Sequence, residues 1–337
     1  VDAVLVAGDV FDVTTPRPKT ITRLFEAMAG FKGPWLLLPG NHDAATAQSL
    51  WDVARKMPEL PPNAVLCLKP EVVDIAGSDG QRAAVLTAPL TQRHTHQAET
   101  PAGAIRIGLA HGSVDGILME DAGNNNPIAA DRAARARLDY MALGDWHGKK
   151  PVNERTWYSG THEPERFKDN DPGYVLIVDI DAPGAVPRVE PVYMASYQWR
   201  TLDLQVQGDA DVEQAQQALA EVDARTVVDV RLSGHCDMGA MERLLAALAD
   251  AQRRAAASTE ATNELSLAPS EEELQGLQAD GFVGEALKEL KLQLSGAEAP
   301  LARDALLALA RIQRQVKAQG APAGGPAGQL RAGGAAA

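Results

Sequence analysis

Four short apolar runs in this chain each end in side chains able to bind a cation or move a proton. Val4-Leu5-Val6-Ala7 leads into Gly8-Asp9-Val10-Phe11-Asp12, and Trp35-Leu36-Leu37-Leu38 breaks at Pro39-Gly40 to deliver Asn41, His42 and Asp43 in succession. Ile105-Arg106-Ile107-Gly108-Leu109-Ala110 ends in His111-Gly112, and Tyr140-Met141-Ala142-Leu143-Gly144 ends in Asp145-Trp146-His147. Asn offers a neutral oxygen ligand, His a proton at physiological pH, and Asp an acceptor that can fix an imidazole ring. Together they form an oxygen-and-nitrogen donor set, which suits Mn, Fe or Zn better than a thiolate-bound metal. One polar turn after a strand is ordinary surface; four endings with this chemistry are hard to dismiss as loops.

Side chains this far apart in sequence converge when their runs are strands of open sheets, whose carboxyl ends line one crevice. The pattern supplies such strands. Residues 3–7 read as a strand, and Ile21, Leu24, Phe25 and Met28 follow the i, i+3, i+4, i+7 stripe of an amphipathic helix closed by Gly30. Leu36–Leu38 is the next strand, so strand, helix and strand make a βαβ unit with a parallel pair. Leu50, Val53 and Ala54 fit a helix, and 64–68, 71–76 and 82–88 read as short strands, the last two joined by the turn Gly77-Ser78-Asp79-Gly80. Residues 129–137 read as a short Arg-bearing helix, and 157–158, 174–180 and 189–194 as antiparallel strands finishing a second sheet.

Composition bounds the rest. A length of 337 residues allows two modest domains, and 45% hydrophobic residues with only 4% aromatic predicts an aliphatic core. The net charge of −13 argues against a generally basic nucleic-acid-binding surface, so any DNA contact has to be local. Two cysteines, Cys67 and Cys236, read as reduced thiols, and with no membrane-spanning run or leader visible the expected location is cytoplasmic.

The order Gly-Asp-x-x-Asp, Gly-Asn-His-Asp, His-Gly and Gly-x-x-His resembles the calcineurin-like metallophosphoesterases. The segment Tyr158-Ser159-Gly160-Thr161-His162-Glu163-Pro164-Glu165-Arg166-Phe167, with Pro172-Gly173-Tyr174 after it, resembles more narrowly the SbcD-type DNA repair exonucleases. The resemblance covers residues 1–195. It implies a four-layer αββα sandwich and two divalent metal ions, Mn first and Fe, Zn or Mg as alternatives, roughly 3.5–4 Å apart and clamping a phosphate. It makes Asp9 the bridging carboxylate, Asn41 and His111 ligands of the second metal, and His147 a ligand of the first. His42 matches the residue that protonates the leaving oxygen, with Asp43 holding its ring.

Two departures modify that expectation. Asp145 stands where the family has the first His of Gly-His-x-His; a carboxylate still ligates a hard ion, so Asp145 is expected to hold the second metal. The family also starts with a strand ending in Asp-x-His, ahead of Gly-Asp-x-x-Asp. No such segment precedes Val4 here, so the expectation is an N-terminally truncated sandwich whose first metal is short of ligands.

The expected layout is a metallophosphoesterase domain over 1–195, a small α+β capping domain over 196–318 and a disordered Ala/Gly/Pro tail over 319–337. Within the second domain, strands at 201–206 and 226–232, helices at 211–222 and 238–257, and helical segments over 270–318 are expected. His235, Cys236 and Asp237 read as an exposed loop, and His94-Thr95-His96 as a solvated one, with His162 left open as ligand or bystander. By resemblance the partners are DNA and an SMC-like ATPase subunit, with a homodimer open, and the reaction is exonucleolytic cleavage of phosphodiesters. Two other readings stay open: a phosphatase or nucleotide phosphodiesterase of the same fold, and a catalytically impaired scaffold for the ATPase.

Overall fold

The structure is a computed structural model that describes residues 1–90, 101–116, 126–168, 170–267 and 281–294, and isolated helical positions at 299, 301, 302, 305, 306, 308, 309 and 312. The chain divides into two compact units, Val1–Gln198 and Trp199–Ala337.

In the first unit, β1 (Val4–Ala7), β2 (Trp35–Leu38) and β3 (Ala64–Leu66) form an all-parallel sheet in that order. A second sheet takes β4 (Glu71–Ala76), β5 (Arg82–Ala88) and β6 (Ile105–His111). After a short parallel pair, β7 (Ser113–Val114) with β8 (Pro127–Ile128), the chain returns to it with β9 (Tyr140–Gly144), β10 (Lys150–Asn153) and β11 (Thr156–Tyr158). The order is β10-β11-β9-β6-β5-β4, with β11, β9, β6 and β5 parallel and an antiparallel strand at each edge.

Side-chain alternation along these strands creates the layers. Leu36 and Leu38 of β2 join Ala7, Cys67, Ile75, Val85 and Leu109 in a core between the two sheets. Leu37 points the other way and packs beneath α1 (Pro18–Met28) and α2 (Leu50–Ala54) with Ile21, Phe25, Met28 and Trp51. On the far side of the second sheet, Ala110, Met141, Leu143 and Tyr158 pack with Leu138 and with Ala133 of the single turn α3 (Arg132–Arg135). Helix, sheet, sheet and helix give the four-layer αββα arrangement. The β2 strand is covered on both faces, by the second sheet and by α1 and α2, which is why it reads as a continuous apolar run.

The structure corrects the expected second sheet. Residues 156–158 do join it, but parallel to β9, while among the described residues β12 (Tyr174–Asp179) and β13 (Arg188–Tyr193) pair only with each other in a separate antiparallel ribbon. Gly173, at φ 94°, turns the chain before β12; its N–H donates to the Thr161 carbonyl, and its own carbonyl accepts from Met194 and Ala195.

The second unit is α+β, built from β14 (Gln198–Val206), α4 (Asp209–Ala220), β15 (Thr226–Cys236), α5 (Met238–Arg254), β16 (Ala257–Ser258), β17 (Thr262–Leu267) and α6 (Gly281–Gln293). β15 pairs with the other three strands, and its inward residues Val228, Val230 and Leu232 pack with Leu202, Leu219 and Leu248. The expected loop at 235–237 is not one. His235 and Cys236 finish β15, with Cys236 buried, and Asp237 caps α5 by accepting from the Ala240 N–H at 2.7 Å. Residues 268–280, His94, His96 and the expected tail lie outside the described residues. Among the described residues no helix is long and apolar enough to cross a membrane.

Candidate metal centre

β1, β2, β6 and β9 all release their functional residues at the same end, and the meeting point is the ring of His111. This side chain is 1% exposed. Its Nδ1 lies 2.8 Å from the Ala7 carbonyl, which takes the Nδ1 proton and leaves Nε2 directed into the site. Three oxygens surround Nε2: Asn41 Oδ1 at 2.8 Å, Asp9 Oδ2 at 3.3 Å and Asp145 Oδ1 at 3.8 Å. One residue from each of the four strand endings is therefore present.

Close approach is built into the motif glycines. A Cβ on Gly8 would sit inside the His111 ring, and one on Gly40 would sit inside the Asp9 carboxylate. Gly8 also holds φ 94°, a left-handed conformation that glycine adopts without steric cost. Asp9 and Asp145 are non-glycine residues at φ 50° and 103°. Strain of this kind, about 1–3 kcal/mol per residue, persists only where surrounding contacts enforce it. For Asp9 the enforcing contact is the His42 N–H, which donates to Oδ1 at 2.9 Å. For Asp145 it is the Ser113 hydroxyl, which donates to Oδ2 at 2.5 Å from a site 6% exposed. Behind Ser113, the Tyr158 hydroxyl donates to the Gly112 carbonyl and accepts from the Val114 N–H, while Asn126 Nδ2 donates to the His111 carbonyl at 2.6 Å.

The electrostatics follow from that packing. Burial pushes the Asp9 carboxyl up, but the His111 hydrogen bond and charge and the His42 N–H outweigh it, so its pKa lies below the usual value. Burial disfavours imidazolium at His111, yet the hydrogen bond and charge of Asp9, the Ala7 carbonyl and the Asp145 charge raise its pKa overall. Two carboxylate oxygens and an amide oxygen facing one ring nitrogen attract positive charge, whether a proton or a metal ion.

Among the described residues, no group of three or more His, Cys, Asp and Glu side chains meets the spacing of a formed metal site. The donor chemistry nonetheless fits one. Ligand atoms ~2.1 Å from an ion, at angles between right-angled and tetrahedral, lie ~3.0–3.4 Å from one another. The three oxygens fall at or near that separation from Nε2, and Asn41, an amide, is a ligand type outside the His, Cys, Asp and Glu set. The Ala7 carbonyl already fixes the ring in the tautomer that a ligand needs.

Two expected residues are placed differently. Asp43 does not hold the His42 ring. It is completely buried; its carboxylate accepts from the Gly40 N–H at 2.6 Å and the Phe11 N–H at 3.2 Å, and its carbonyl from Trp51 Nε1 at 2.5 Å. Burial raises its pKa despite those donors. Asp12 lies at the ring instead, with Oδ1 3.2 Å from His42 Nδ1 at the exposed mouth of the site. Asp12 is the last residue of Gly-Asp-x-x-Asp, and its fixed spacing from Asp9 was the available signal. His147 is the second case: it is not brought to His111, and its ring nitrogens face Glu165 and the Arg166 guanidinium, 2.6 and 3.0 Å away. His162 is exposed, and the neighbouring Glu163 is tied to the Ser196 and Tyr197 N–H groups.

A hard donor set gathered on one imidazole, with an exposed His beside it, at the strand ends of an αββα sandwich, defines a metal-dependent phosphoester hydrolase. The family model of calcineurin-like phosphoesterases matches residues 1–177, and the chain belongs to that family. A search of curated proteins finds no match. Members of the family generally work with divalent metal ions.

Proposed function

We propose that this chain is a phosphodiesterase that cleaves DNA from an end, in the manner of the SbcD-type exonucleases, with Mn as its metal. The observation carrying the reading is the convergence of Asp9, Asn41 and Asp145 on Nε2 of the tautomer-locked His111. Those four residues would hold an ion, with His147 a further ligand once released from Glu165 and Arg166. A bound divalent ion polarises the phosphoryl oxygen and lowers the pKa of water. The chain's own contribution is proton transfer. His42 sits next to a ligand without matching one, and its ring is oriented by Asp12. In this reading it protonates the departing sugar oxygen, a role that typically contributes ~10²–10⁴-fold. The capping role of the second unit, a cytoplasmic location, an SMC-like ATPase partner and a homodimer are parts of the same reading, supported by the Tyr158–Phe167 segment with Pro172-Gly173-Tyr174 after it and by the α+β layout after residue 198.

One observation favours the scaffold reading: the engagement of His147 by Glu165 and Arg166, which keeps it away from His111. A single experiment separates the readings. The whole chain is assayed with Mn against bis(p-nitrophenyl) phosphate, a p-nitrophenyl monoester and end-labelled DNA, beside His111→Ala. Hydrolysis of the diester and of DNA, abolished in His111→Ala, is the expected result. Turnover of the monoester alone would identify a phosphatase, and none with any substrate a scaffold.

A further inference from the structure

The two carboxylate oxygens of Asp145 have different neighbours. Oδ1 lies 3.8 Å from His111 Nε2, while Oδ2 accepts from the Ser113 hydroxyl at 2.5 Å. Ser113 opens β7 directly after Gly112 and is 6% exposed. One phenol holds the peptide groups on both sides of it. The Tyr158 hydroxyl donates to the Gly112 carbonyl at 2.8 Å and accepts from the Val114 N–H at 2.9 Å. Tyr158 ends β11 in register with Leu143 of β9, which is in register with Ala110 of β6. All three side chains of that row pack in one apolar cluster, where Tyr158 is fully buried. Since β6 is two strands from β11, roughly 10 Å, only a long side chain with a polar tip reaches residues 112–114 from there. The Gly112 N–H donates to the Gly144 carbonyl at 3.2 Å and the Ser113 N–H to the Asn126 carbonyl at 3.1 Å. The backbone around Ser113 is thereby tied to β11, to the end of β9 and to Asn126.

We infer that Ser113, held in place by Tyr158, determines the metal specificity of the centre: by occupying Oδ2 it limits Asp145 to one oxygen donor and makes the site select Mn over Ca²⁺. This deepens the proposed function and rests on its metal centre at His111. Ca²⁺ takes roughly six to eight oxygens and often draws both from one carboxylate, whereas smaller divalent ions take a tighter set. A carboxylate free to turn serves the larger ion with two oxygens. Asp145, at φ 103° and with Oδ2 engaged, presents one. Ser113 and Tyr158 act through Asp145, as positioning residues, and hydrogen bonds that orient a ligand in this way are typically worth ~10–100-fold in metal affinity.

The test reads metal binding without substrate. Mn and Ca²⁺ are each titrated by calorimetry into the metal-free whole chain, into Ser113→Ala, into Tyr158→Phe and into the double variant. Urea unfolding without metal shows that each is folded. Ser113→Ala should weaken Mn by ~10–100-fold and Ca²⁺ by less, so that the preference for Mn narrows by on the order of tenfold. Tyr158→Phe keeps the ring in the core and should narrow it in the same direction by a smaller factor. Because Tyr158 acts through Ser113, the double variant should bind Mn no more weakly than Ser113→Ala alone. If Tyr158→Phe does not fold, the Mn-to-Ca²⁺ ratio of Ser113→Ala decides.

Equal losses of Mn and Ca²⁺ in Ser113→Ala would mark a general structural effect and overturn the inference, as would an unchanged ratio. Losses that add in the double variant would show that Tyr158 does not act through Ser113 and overturn that link. A parent chain that binds no Mn overturns the inference together with the metal centre. A parent that binds Mn, with the variant ratios as expected, but cleaves neither DNA nor the small diester would sink the catalytic reading and leave the specificity role of Ser113 standing.

Discussion

Exchanging the expected and observed roles of two aspartates gives the sharpest prediction. Asp43→Ala removes a fully buried acceptor and strands the Gly40 and Phe11 N–H groups, which donate to it at 2.6 and 3.2 Å. A buried donor left without an acceptor costs about 1–3 kcal/mol, so two cost about 2–6. Against this, burial has raised the Asp43 pKa, and removing the carboxyl relieves that desolvation penalty. The expected net loss is therefore in the lower half, about 2–4 kcal/mol. Asp12→Asn touches a mostly exposed pair with His42, so its stability cost should stay below about 1 kcal/mol, while turnover of a diester falls. Tryptophan fluorescence follows mainly the right unit, since Trp35, Trp51, Trp146 and Trp157 lie in Val1–Gln198 and Trp199 alone begins the other. Urea midpoints give stability, and Mn-supported hydrolysis of bis(p-nitrophenyl) phosphate gives activity. If Asp43→Ala unfolds with the parent but is inactive, while Asp12→Asn is fully active, then Asp43 orients the ring and the loop-staple assignment is wrong.

Further expectations follow from the same contacts. The raised Asp43 pKa means that its proton is held more firmly folded than unfolded; that stabilisation is complete below the ordinary value of 3.8 and is lost as pH rises through the folded value. The stability difference between parent and Asp43→Asn should therefore move against the parent as pH climbs through that window, and a difference flat from acid to neutral would contradict the shift. His42→Ala should keep Mn binding by calorimetry and lose ~10²–10⁴-fold in turnover; loss of binding would make His42 a ligand. Asp145→Ala should weaken Mn binding and Asp145→His should retain activity with a softer metal preference, whereas an Asp145→Ala protein that binds and cleaves like the parent would remove this residue from the centre. Ser113→Ala, which frees the Asp145 carboxylate from its 2.5 Å hydrogen bond, should weaken Mn binding less than Asp145→Ala does, and an equal or greater loss would point to a different role for Ser113.

The strands and their endings were legible in the sequence because both signals are local. Apolar runs such as Leu36–Leu38 must be buried, and a Gly-Asp or Gly-Asn-His directly after them has nowhere to go but the strand end. The βαβ start, the α1 stripe and the gathering of Asp9, Asn41, His111 and Asp145 all follow from that. Three things were decided only by tertiary packing. Asp43, next to His42 in sequence, was the expected ring partner, and only the depth of the loop, which buries Asp43 against Gly40 and Phe11 and leaves Asp12 beside His42, gives that contact to Asp12. Residues 174–179 and 188–193 have strand composition whichever sheet they join, and pairing partners are a non-local choice, made here by the turn at Gly173. His147 follows Asp145 by two residues, as ligands of one centre can, yet Glu165 and Arg166, far along the chain, take hold of its ring. Spacing fixes which side chains leave a strand end together; which neighbour each one meets depends on segments that only folding brings there.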